Sequence, residues 1–282
     1  MDDTAASPAV QATIAILTYT SSIETVEATI RSALDFDEIL VCDGHSTDGT
    51  RELAESLGCR VIDQQDEFLD GRGRLVNEAG VNEQMLAAAS HDWVFLLDHD
   101  ELLTEELVGE IRSITDRDRT CGAYSIPRLY TLGGTVIRCA SVYPRFQIRL
   151  VHRDAVSGYG GIVHSPVILH EGEAVGQAEH HMLVPQPPLR QLWPKWRGYL
   201  RLEEAERATL SRSEWVAQVL RPQARMVRWI AVRTLQTRRR CHGPRLPLRY
   251  EVNRAVYEMS VIFYTGRRFI GWPQPDSTRA WR

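Results

Sequence analysis

The polar and hydrophobic positions of the first 115 residues follow two alternating patterns. Residues 12–18 (ATIAILT) and 93–97 (WVFLL) are apolar runs of strand length, which predict buried β-strands. Between these runs, apolar residues recur at helical spacing, beginning with Val26 and Ile30. The combined pattern predicts strands at 12–18, 38–42, 59–62 and 93–97, alternating with helices at about 26–34, 51–57, 78–89 and 104–114.

Strands that alternate with helices through short links favour a mostly parallel sheet with helices on both faces, the doubly wound α/β architecture. In such sheets, ligands bind outside the carboxyl ends of the strands. Polar clusters stand at those ends here, at residues 18–22, 43–50 and 98–101. We therefore expect residues 12–115 to be a nucleotide-binding half.

The pattern changes after residue 120. Shorter apolar runs at 123–127 and 147–151, with glycine pairs nearby, predict a mixed or antiparallel extension that carries acceptor loops. From residue 189 onward long helical patterns dominate, interrupted at Pro222 and at a linker over 242–247. We therefore expect one domain at 1–185, whose acceptor-side half is 120–185, and a basic helical extension at 186–282.

The net charge of −4 conceals an asymmetry along the chain. Residues 1–182 contain 13 Arg and 30 Asp or Glu, whereas residues 183–282 contain 20 Arg or Lys and 7 Asp or Glu. Between 221 and 240, arginines are interspersed with apolar residues in an amphipathic helical pattern. This segment either lies on an anionic membrane surface or packs on the catalytic domain. Nucleic acid is not an expected partner, because no recognised binding motif accompanies the charge.

Composition and cysteine usage indicate the class of protein and its cellular compartment. A chain of 282 residues with 43% hydrophobic residues can form a large core, which excludes a disordered chain or a disulfide mini-protein. The five cysteines are scattered and include no CxxC pair, which predicts reduced thiols. The beginning of the chain lacks the features of a secretory signal, and no apolar run is long enough to span a bilayer. We expect a cytoplasmic protein, either soluble or peripheral at the inner face of the plasma membrane.

Acidic residues at two strand ends are candidates for chemistry. Asp98 and Asp100 are two positions apart directly after a predicted strand, so in extended geometry their carboxylates point to one face. Two carboxylates suit Mg²⁺ or Mn²⁺ with a bound diphosphate, and the alternative is a solvated acidic turn before the next helix. Asp43 also ends a strand and can accept hydrogen bonds from a base or ribose. Asp48 and Thr47 are better placed to cap the helix that follows.

Three segments in this order carry a resemblance to a known family. LTYTSSIETVEATIRSAL, EILVCDGHSTDGTRELAESLG and AAASHDWVFLLDHDELL are similar to the GT-A core of family 2 glycosyltransferases. A weaker continuation through YPRFQIRLV, IVH, HHMLV and KWRGYL looks like bacterial members that add sugars to lipopolysaccharide core or related glycolipids. The resemblance implies a GT-A, Rossmann-like fold. It also implies metal-dependent, inverting transfer of a sugar from a nucleoside diphosphate carrier to a glycan or lipid-linked acceptor.

The same resemblance implies roles for residues at the strand ends. Thr18, Tyr19 and Asp43 would contact the nucleobase and ribose. Asp98 and Asp100 would bind the ribose, the diphosphate and the metal ion. These residues follow predicted strands, so their position agrees with their chemistry.

Histidine and arginine side chains complete the implied site. His181, with His180 as the next choice, would complete the metal shell, and the alternative is an imidazole pair that binds nothing. Arg72 and Arg74 would cover the diphosphate or, as the alternative, form a solvated basic loop. Arg149 lies inside an apolar strand pattern. Because an unpaired buried guanidinium is costly, it should meet either a structural carboxylate or a substrate phosphate.

An inverting transferase needs a general base, and this sequence departs from the family at that point. Related proteins carry His-Glu where this chain carries His164 and Ser165, and serine cannot be that base. We therefore expect His164, whose unperturbed pKa is about 6.5, or the nearby Glu171 to accept the proton. Ser165 also leaves open an inactive relative that binds nucleotide sugars or acts as a membrane-surface scaffold. A nucleotidyltransferase, which would release pyrophosphate, is the alternative enzyme class.

Overall fold

The computed structural model describes residues 8–19, 23–71, 73, 75–161 and 165–271. The chain divides into two compact units, Met1–Val136 with Pro144–Gln186, and Ile137–Tyr143 with Pro187–Arg282. We call them the sheet unit and the helical unit. The chain passes from one unit to the other three times.

The sheet unit begins with the predicted alternation of strands and helices. The strands are β1 (Val10–Thr18), β2 (Phe36–Asp43), β3 (Arg60–Asp63) and β4 (Trp93–Asp98), and the helices are α1 (Ile23–Arg31), α2 (Thr50–Ser56), α3 (Glu78–Ala88) and α4 (Glu105–Thr115). β1 pairs in parallel with β2 and β4, and β2 pairs in parallel with β3. The register places Thr18 opposite Asp43 and Leu17 opposite Asp98, so three carboxyl ends meet at one edge.

In the described part of the chain, seven more strands follow β4. They are β5 (Ala123–Leu132), β6 (Thr135–Val136), β7 (Phe146–His152), β8 (Val156–Tyr159), β9 (Val167–Leu169), β10 (Val175–Gln177) and β11 (Met182–Pro185). β7 is antiparallel to β4 and β5, whereas β10 and β11 are parallel to β5. The main strand order is β10-β5-β7-β4-β1-β2-β3, and β8 pairs with β9 in a separate antiparallel sheet. The predicted mixed extension is confirmed.

The core of the sheet unit lies on both faces of the sheet. Successive side chains of β1 alternate between two buried clusters, because neighbouring residues of a strand point to opposite faces. Ile14 and Ile16 belong to the cluster that includes α1 and α4, whereas Ala15 and Leu17 belong to the cluster that includes α3. Helices therefore cover both faces, as the doubly wound prediction requires.

The helical unit contains α5 (Leu189–Glu206), α6 (Arg212–Trp215), α7 (Arg221–Arg240) and α8 (Leu248–Gly266). Its buried cluster is formed by Leu200, Val219 and Val261. A π-helical turn at Val216–Leu220 joins α6 to α7, so the α-helical pattern is interrupted directly before Pro222, although the chain stays helical there. Pro222 lies in the first turn of α7, where its ring is accommodated more easily than in a helix interior.

A disulfide joins Cys139 and Cys241 within the helical unit. The expectation that the cysteines are reduced is therefore wrong for this pair. The two residues are 102 positions apart, so sequence spacing alone does not reveal their proximity. Cys42 and Cys59 are buried free thiols, and burial raises the pKa of Cys59 to about 11 and that of Cys42 to about 12.

One face of α8 exposes a line of large apolar side chains. These residues, which we call the α8 stripe, recur at three- and four-residue spacing and are 39–56% exposed: Leu248, Val252, Val256, Met259 and Phe263. α7 also exposes apolar side chains and ends in Arg238, Arg239 and Arg240. Among the described helices, none combines the length and hydropathy needed to cross a membrane.

Candidate functional site

The corner between β1 and β2 holds the first predicted group. Thr18 and Asp43 are fully buried, and the Thr18 hydroxyl donates to Asp43 Oδ1 at 3.0 Å. Ser46 donates its backbone N–H to Oδ2 at 2.9 Å and its hydroxyl to Oδ1 at 2.6 Å. Gln64 Nε2 donates to the Thr18 carbonyl oxygen at 2.7 Å. The Asp43 carboxylate thus accepts three hydrogen bonds, and a ligand donor would join them or replace one.

Two residues near this corner link it to neighbouring elements. Asp48 Oδ1 accepts hydrogen bonds from the backbone N–H of Thr50 at 3.2 Å and from its hydroxyl at 2.6 Å. Asp48 thereby pairs with the first backbone N–H of α2, although the N-cap residue is Gly49 rather than Asp48 or Thr47. The Tyr19 ring packs edge-on against the His99 ring at a centroid distance of 5.0 Å. This contact joins the end of β1 to the acidic segment after β4.

That acidic segment, residues 98–101, forms a turn. β4 ends at Asp98, and the Glu101 backbone N–H donates to the Asp98 carbonyl oxygen at 3.0 Å. The extended geometry expected for Asp98 and Asp100 is therefore wrong, because the chain leaves the strand direction between them. The turn instead brings Asp98 and Glu101 to the same guanidinium group.

Arg149 of β7 is that shared partner. Its Nη2 donates to Asp98 Oδ2 at 2.7 Å and to Glu101 Oε2 at 2.8 Å. Arg128 of β5 pairs with the other oxygen of Glu101. Glu101, Arg128 and Arg149 are all buried, with exposures of 1%, 8% and 6%. Two carboxylates and two guanidinium groups therefore compensate one another at the carboxyl end of β4.

The electrostatic environment determines the charge states of Asp98 and Arg149. Burial alone would raise the pKa of Asp98, but the charge and hydrogen bond of Arg149 outweigh it and hold that pKa well below its ordinary value. Burial alone would lower the pKa of Arg149, but the charges of Asp98 and Glu101 raise it above its ordinary value. Asp98 is therefore ionised and a weak proton acceptor, and Arg149 is a permanent cation.

A pocket of about 210 Å³ opens beside Asp98 and Arg149. Its walls come from the ends of β1 and β4, from α3, from β7 and from the β8–β9 segment. The buried Tyr159 hydroxyl in this wall has no hydrogen-bond partner within the described structure. The polar residues that line the pocket are Glu78, Asn82, Asp98, Gln147, Arg149, Tyr159 and Ser165. This volume accommodates a small polar group next to a fixed positive charge.

The remaining predicted residues are less closely gathered. His180 Nδ1 lies 3.0 Å from Glu110 Oε2 on α4, and the His181 carbonyl oxygen accepts a hydrogen bond from the Thr104 hydroxyl at 2.9 Å. Glu171 is exposed in the turn after β9 and does not line the pocket. Arg72, Arg74 and His164 lie outside the described residues.

The predicted metal shell of Asp98, Asp100 and His181 is not assembled. Across the described ranges, no three His, Cys, Asp or Glu side chains are placed to hold one metal ion. The role of His181 as the third ligand stays a prediction from the sequence. The backbone turn at 98–101 and the pairing of Asp98 with Arg149 account for part of the difference.

Sequence reasoning missed three residues that shape the site. Glu101 anchors both arginines, Arg128 lies in β5, and Glu78 begins α3 on the pocket wall. Glu101 belongs to the matched acidic motif, and Arg128 interrupts the apolar pattern of its strand. Both features could have marked them as paired buried charges. Nothing in the sequence pattern distinguishes Glu78 from an ordinary charge in the first turn of a helix.

Comparison with known proteins relates this chain to glycosyltransferases. The model of the family described as "Glycosyl transferase family 2" matches residues 13–155. Glycosyltransferase AglJ of Haloferax volcanii is 34% identical over 158 residues, covering 52% of this chain and 48% of AglJ. The chain thus spans about half the length of this curated relative. The family match confirms the resemblance that the sequence motifs carry.

Among solved structures, Staphylococcus aureus TarS residues 1–349, in complex with UDP-GlcNAc, is 12% identical, with a TM-score of 0.47 over 93% of this chain and 92% of TarS. Mannosyltransferase PcManGT of Pyrobaculum calidifontis, in complex with GDP-Man and Mn²⁺, is 13% identical. Its TM-score is 0.46 over 94% of this chain and 76% of PcManGT.

Proposed function

Because the chain belongs to glycosyl transferase family 2, we propose that it moves a sugar from a nucleoside diphosphate carrier to an acceptor hydroxyl. One observation carries the proposal: Asp43 and Asp98 lie at the ends of the two strands that flank β1, and Asp98 lines the pocket together with its partner Arg149. Two strand spacings separate those ends, about 10 Å. One nucleotide-sugar molecule is long enough to reach both positions.

The donor nucleotide would bind along this edge of the sheet. Thr18, Tyr19 and Asp43 would contact the nucleobase and ribose, with a donor group of the ligand replacing or joining the Ser46 hydroxyl at Asp43. Arg149 would supply positive charge to the diphosphate, because a guanidinium binds phosphate oxygens well. Arg72 and Arg74, which precede α3 in the sequence, are proposed to cover the diphosphate.

A divalent cation, Mg²⁺ or Mn²⁺, is proposed to act through Asp98 and Asp100. Arg149 Nη2 donates to Asp98 Oδ2 at 2.7 Å, whereas Nη1 lies 3.5 Å from Oδ1. Because this second contact is longer, Oδ1 keeps the capacity to bind a cation. Two carboxylates fit such an ion, since phosphate oxygens and water supply its remaining ligands. When bound, the ion would neutralise charge on the diphosphate.

The transfer itself would invert the anomeric carbon. The acceptor oxygen would attack from the face opposite the diphosphate, and Arg149 would stabilise the negative charge that develops on the leaving group. The acceptor hydroxyl must lose its proton during the attack. His164 and Glu171 are the bases proposed from the sequence, although Glu171 is exposed outside the pocket.

The acceptor is proposed to be a glycan or a lipid-linked sugar at the cytoplasmic face of a membrane. The exposed α8 stripe and the arginines of α7 support this, because apolar and cationic side chains together favour an anionic lipid surface. Nucleic acid is not a proposed partner.

Flotation with anionic phosphatidylglycerol vesicles and with neutral phosphatidylcholine vesicles tests the proposed binding to a membrane surface. Stronger binding to the anionic vesicles, weakened by salt, supports it, and equal binding to both contradicts it.

A donor panel tests the proposed activity. UDP-glucose, UDP-N-acetylglucosamine and GDP-mannose are compared by thermal shift with and without Mn²⁺, because a bound donor stabilises the fold. Release of nucleoside diphosphate is then measured for any donor that binds. Asp43→Asn should reduce the thermal shift, whereas Asp92→Asn, an exposed position before β4, should retain it in full. Absence of any shift contradicts the proposal.

An inactive nucleotide-sugar-binding or scaffold protein is the second candidate, since Ser165 stands on the pocket wall where related proteins carry a glutamate. It predicts a thermal shift without release of nucleoside diphosphate, even when a membrane lipid extract supplies acceptors. Release of pyrophosphate would instead indicate nucleotidyl transfer.

A further inference from the structure

The pocket beside Asp98 and Arg149 has a charged part and an inner, neutral part. Asp98 stands at the carboxyl end of β4. Leu96 lines the same pocket two residues earlier in this strand, about 7 Å from that end. Leu17 of β1 and Met85 of α3 also line it, and they belong with Leu96 to one buried apolar cluster. The cavity therefore extends from the charged edge of the sheet into the apolar interior.

Two neutral polar side chains line the pocket together with these apolar ones. Asn82 of α3 and Tyr159 of β8 are each 8% exposed. The Tyr159 hydroxyl has no hydrogen-bond partner within the described structure, and a ligand acceptor would remove the cost of leaving it unsatisfied. Burial raises the pKa of Tyr159, so the phenol keeps its proton at neutral pH and can donate it to a hydrogen bond. The Asn82 amide offers both donors and an acceptor.

The position of the pocket indicates which part of a donor would enter it. Arg149, which also lines the pocket, is the residue proposed to meet the diphosphate. The sugar is bonded directly to that diphosphate, so the substituents of the sugar lie within reach of the cavity. A charged substituent would be costly to bury against the apolar wall. A hydroxyl group would satisfy the polar side chains but would leave that wall without an apolar contact.

An acetamido group matches both parts of the inner pocket. Its carbonyl oxygen accepts a hydrogen bond, its N–H donates one, and its methyl group is apolar. We propose that the inner pocket binds the acetamido group of an N-acetylhexosamine donor, and that Asn82 and Tyr159 select it. This inference rests on the proposed function, whose donor sugar it names. The Tyr159 hydroxyl donates to the amide carbonyl, directly or through one ordered water, and the methyl group packs against Met85 and Leu96.

Calorimetric titration in the presence of Mn²⁺ compares UDP-N-acetylglucosamine with UDP-glucose, which carries a hydroxyl in place of the acetamido group. We expect the N-acetylated donor to bind at least about tenfold more tightly, because even one methylene in an apolar pocket is worth roughly 10- to 200-fold in discrimination. Tyr159→Phe should weaken binding of UDP-N-acetylglucosamine about three- to tenfold, the effect of one hydrogen bond, and should leave UDP-glucose unchanged. Asn82→Leu, which removes the amide but keeps a branched side chain, should reduce the same preference.

A second measurement separates selection of the donor from a structural role. The Tm of donor-free Tyr159→Phe should equal or exceed that of wild-type protein, because the variant loses an unsatisfied buried hydroxyl. A structural role alone would lower the Tm and weaken both donors alike. Tyr257→Phe is the matched control, since it removes another buried hydroxyl without a described partner, in α8 and outside the pocket. Both dissociation constants of this control should stay within about twofold of wild type.

The outcomes distinguish this inference from the function on which it rests. If UDP-glucose or GDP-mannose binds as tightly as UDP-N-acetylglucosamine, the acetamido assignment is wrong while the transferase function stands. The same holds if neither Tyr159→Phe nor Asn82→Leu reduces the preference. If none of the three donors binds to wild-type protein, the proposed function itself is refuted.

Discussion

Replacement of Glu101 by glutamine tests the buried charge network directly. Glu101 is 1% exposed and holds Arg128 and Arg149, both nearly buried. The substitution keeps the volume of the side chain but removes one of two negative charges that face two guanidinium groups. Breaking a buried ion pair by removing one partner costs about 3–5 kcal/mol. We expect about 3 kcal/mol, because the glutamine oxygen still accepts one hydrogen bond and Asp98 still pairs with Arg149.

Urea unfolding followed by circular dichroism measures this loss as a change in the free energy of unfolding. For a unit of this size, about 3 kcal/mol corresponds to a fall in Tm of roughly 6–12 °C. Glu83→Gln is the exposed control and should lie within about 0.5 kcal/mol of wild type. Adding Arg128→Met to the Glu101→Gln variant removes a guanidinium that has lost its carboxylate partner. The double variant should therefore recover part of the lost free energy of unfolding. If Glu101→Gln is as stable as Glu83→Gln, the ion pairs of Glu101 with Arg128 and Arg149 do not stabilise the fold.

Three further predictions address the nucleotide corner, the acidic pair and the disulfide. Asp43→Asn should raise the dissociation constant of the preferred donor at least about tenfold, which is the loss of about 1.4 kcal/mol, and calorimetric titration measures it. Arg149 lowers the pKa of Asp98 below its unfolded value of about 3.9. The stability that Asp98 contributes is therefore complete above about pH 4 and is lost as pH falls further. Between pH 6 and pH 2, the urea midpoint of Asp98→Asn should fall less steeply than that of wild-type protein. Parallel profiles of the two proteins would contradict this. Reduction of the Cys139–Cys241 disulfide should destabilise the helical unit by about 2–4 kcal/mol, whereas unfolding of a double serine variant at these positions should not respond to dithiothreitol.

The strands and helices of the sheet unit could be predicted because their apolar periodicity is strong. β1 and β4 are nearly continuous apolar runs, and β2 contains the run ILVC. Their observed bounds differ from the predicted ones by only a few residues. The grouping of polar residues at the carboxyl ends followed from parallel pairing alone. The prediction that Arg149 needs a partner also followed from physics, since a buried guanidinium is costly without one, and the structure pairs it with Asp98 and Glu101.

The remaining features depend on tertiary contacts that no local pattern records. Glu101 belongs to the acidic motif after β4, but the two arginines that pair with it in the interior come from strands distant in the sequence. The turn at 98–101 replaced the extended geometry because Glu101 folds back toward Asp98. Glu78 reaches the pocket because α3 packs on the sheet beside β8. Each of these depends on which elements become neighbours after folding.

The short segment Ile137–Tyr143 limits how this protein can be dissected. It belongs to the helical unit although sequence on both sides of it belongs to the sheet unit. Ser141 is fully buried and hydrogen bonds to Glu251 through both its N–H and its hydroxyl, and Cys139 is bonded to Cys241. A protein shortened after Gln186 would leave this stretch with its buried surface uncovered and its polar groups unsatisfied. Loss of function on such a deletion would report a damaged fold, so point substitutions on exposed faces are the better way to assign roles to the C-terminal hundred residues.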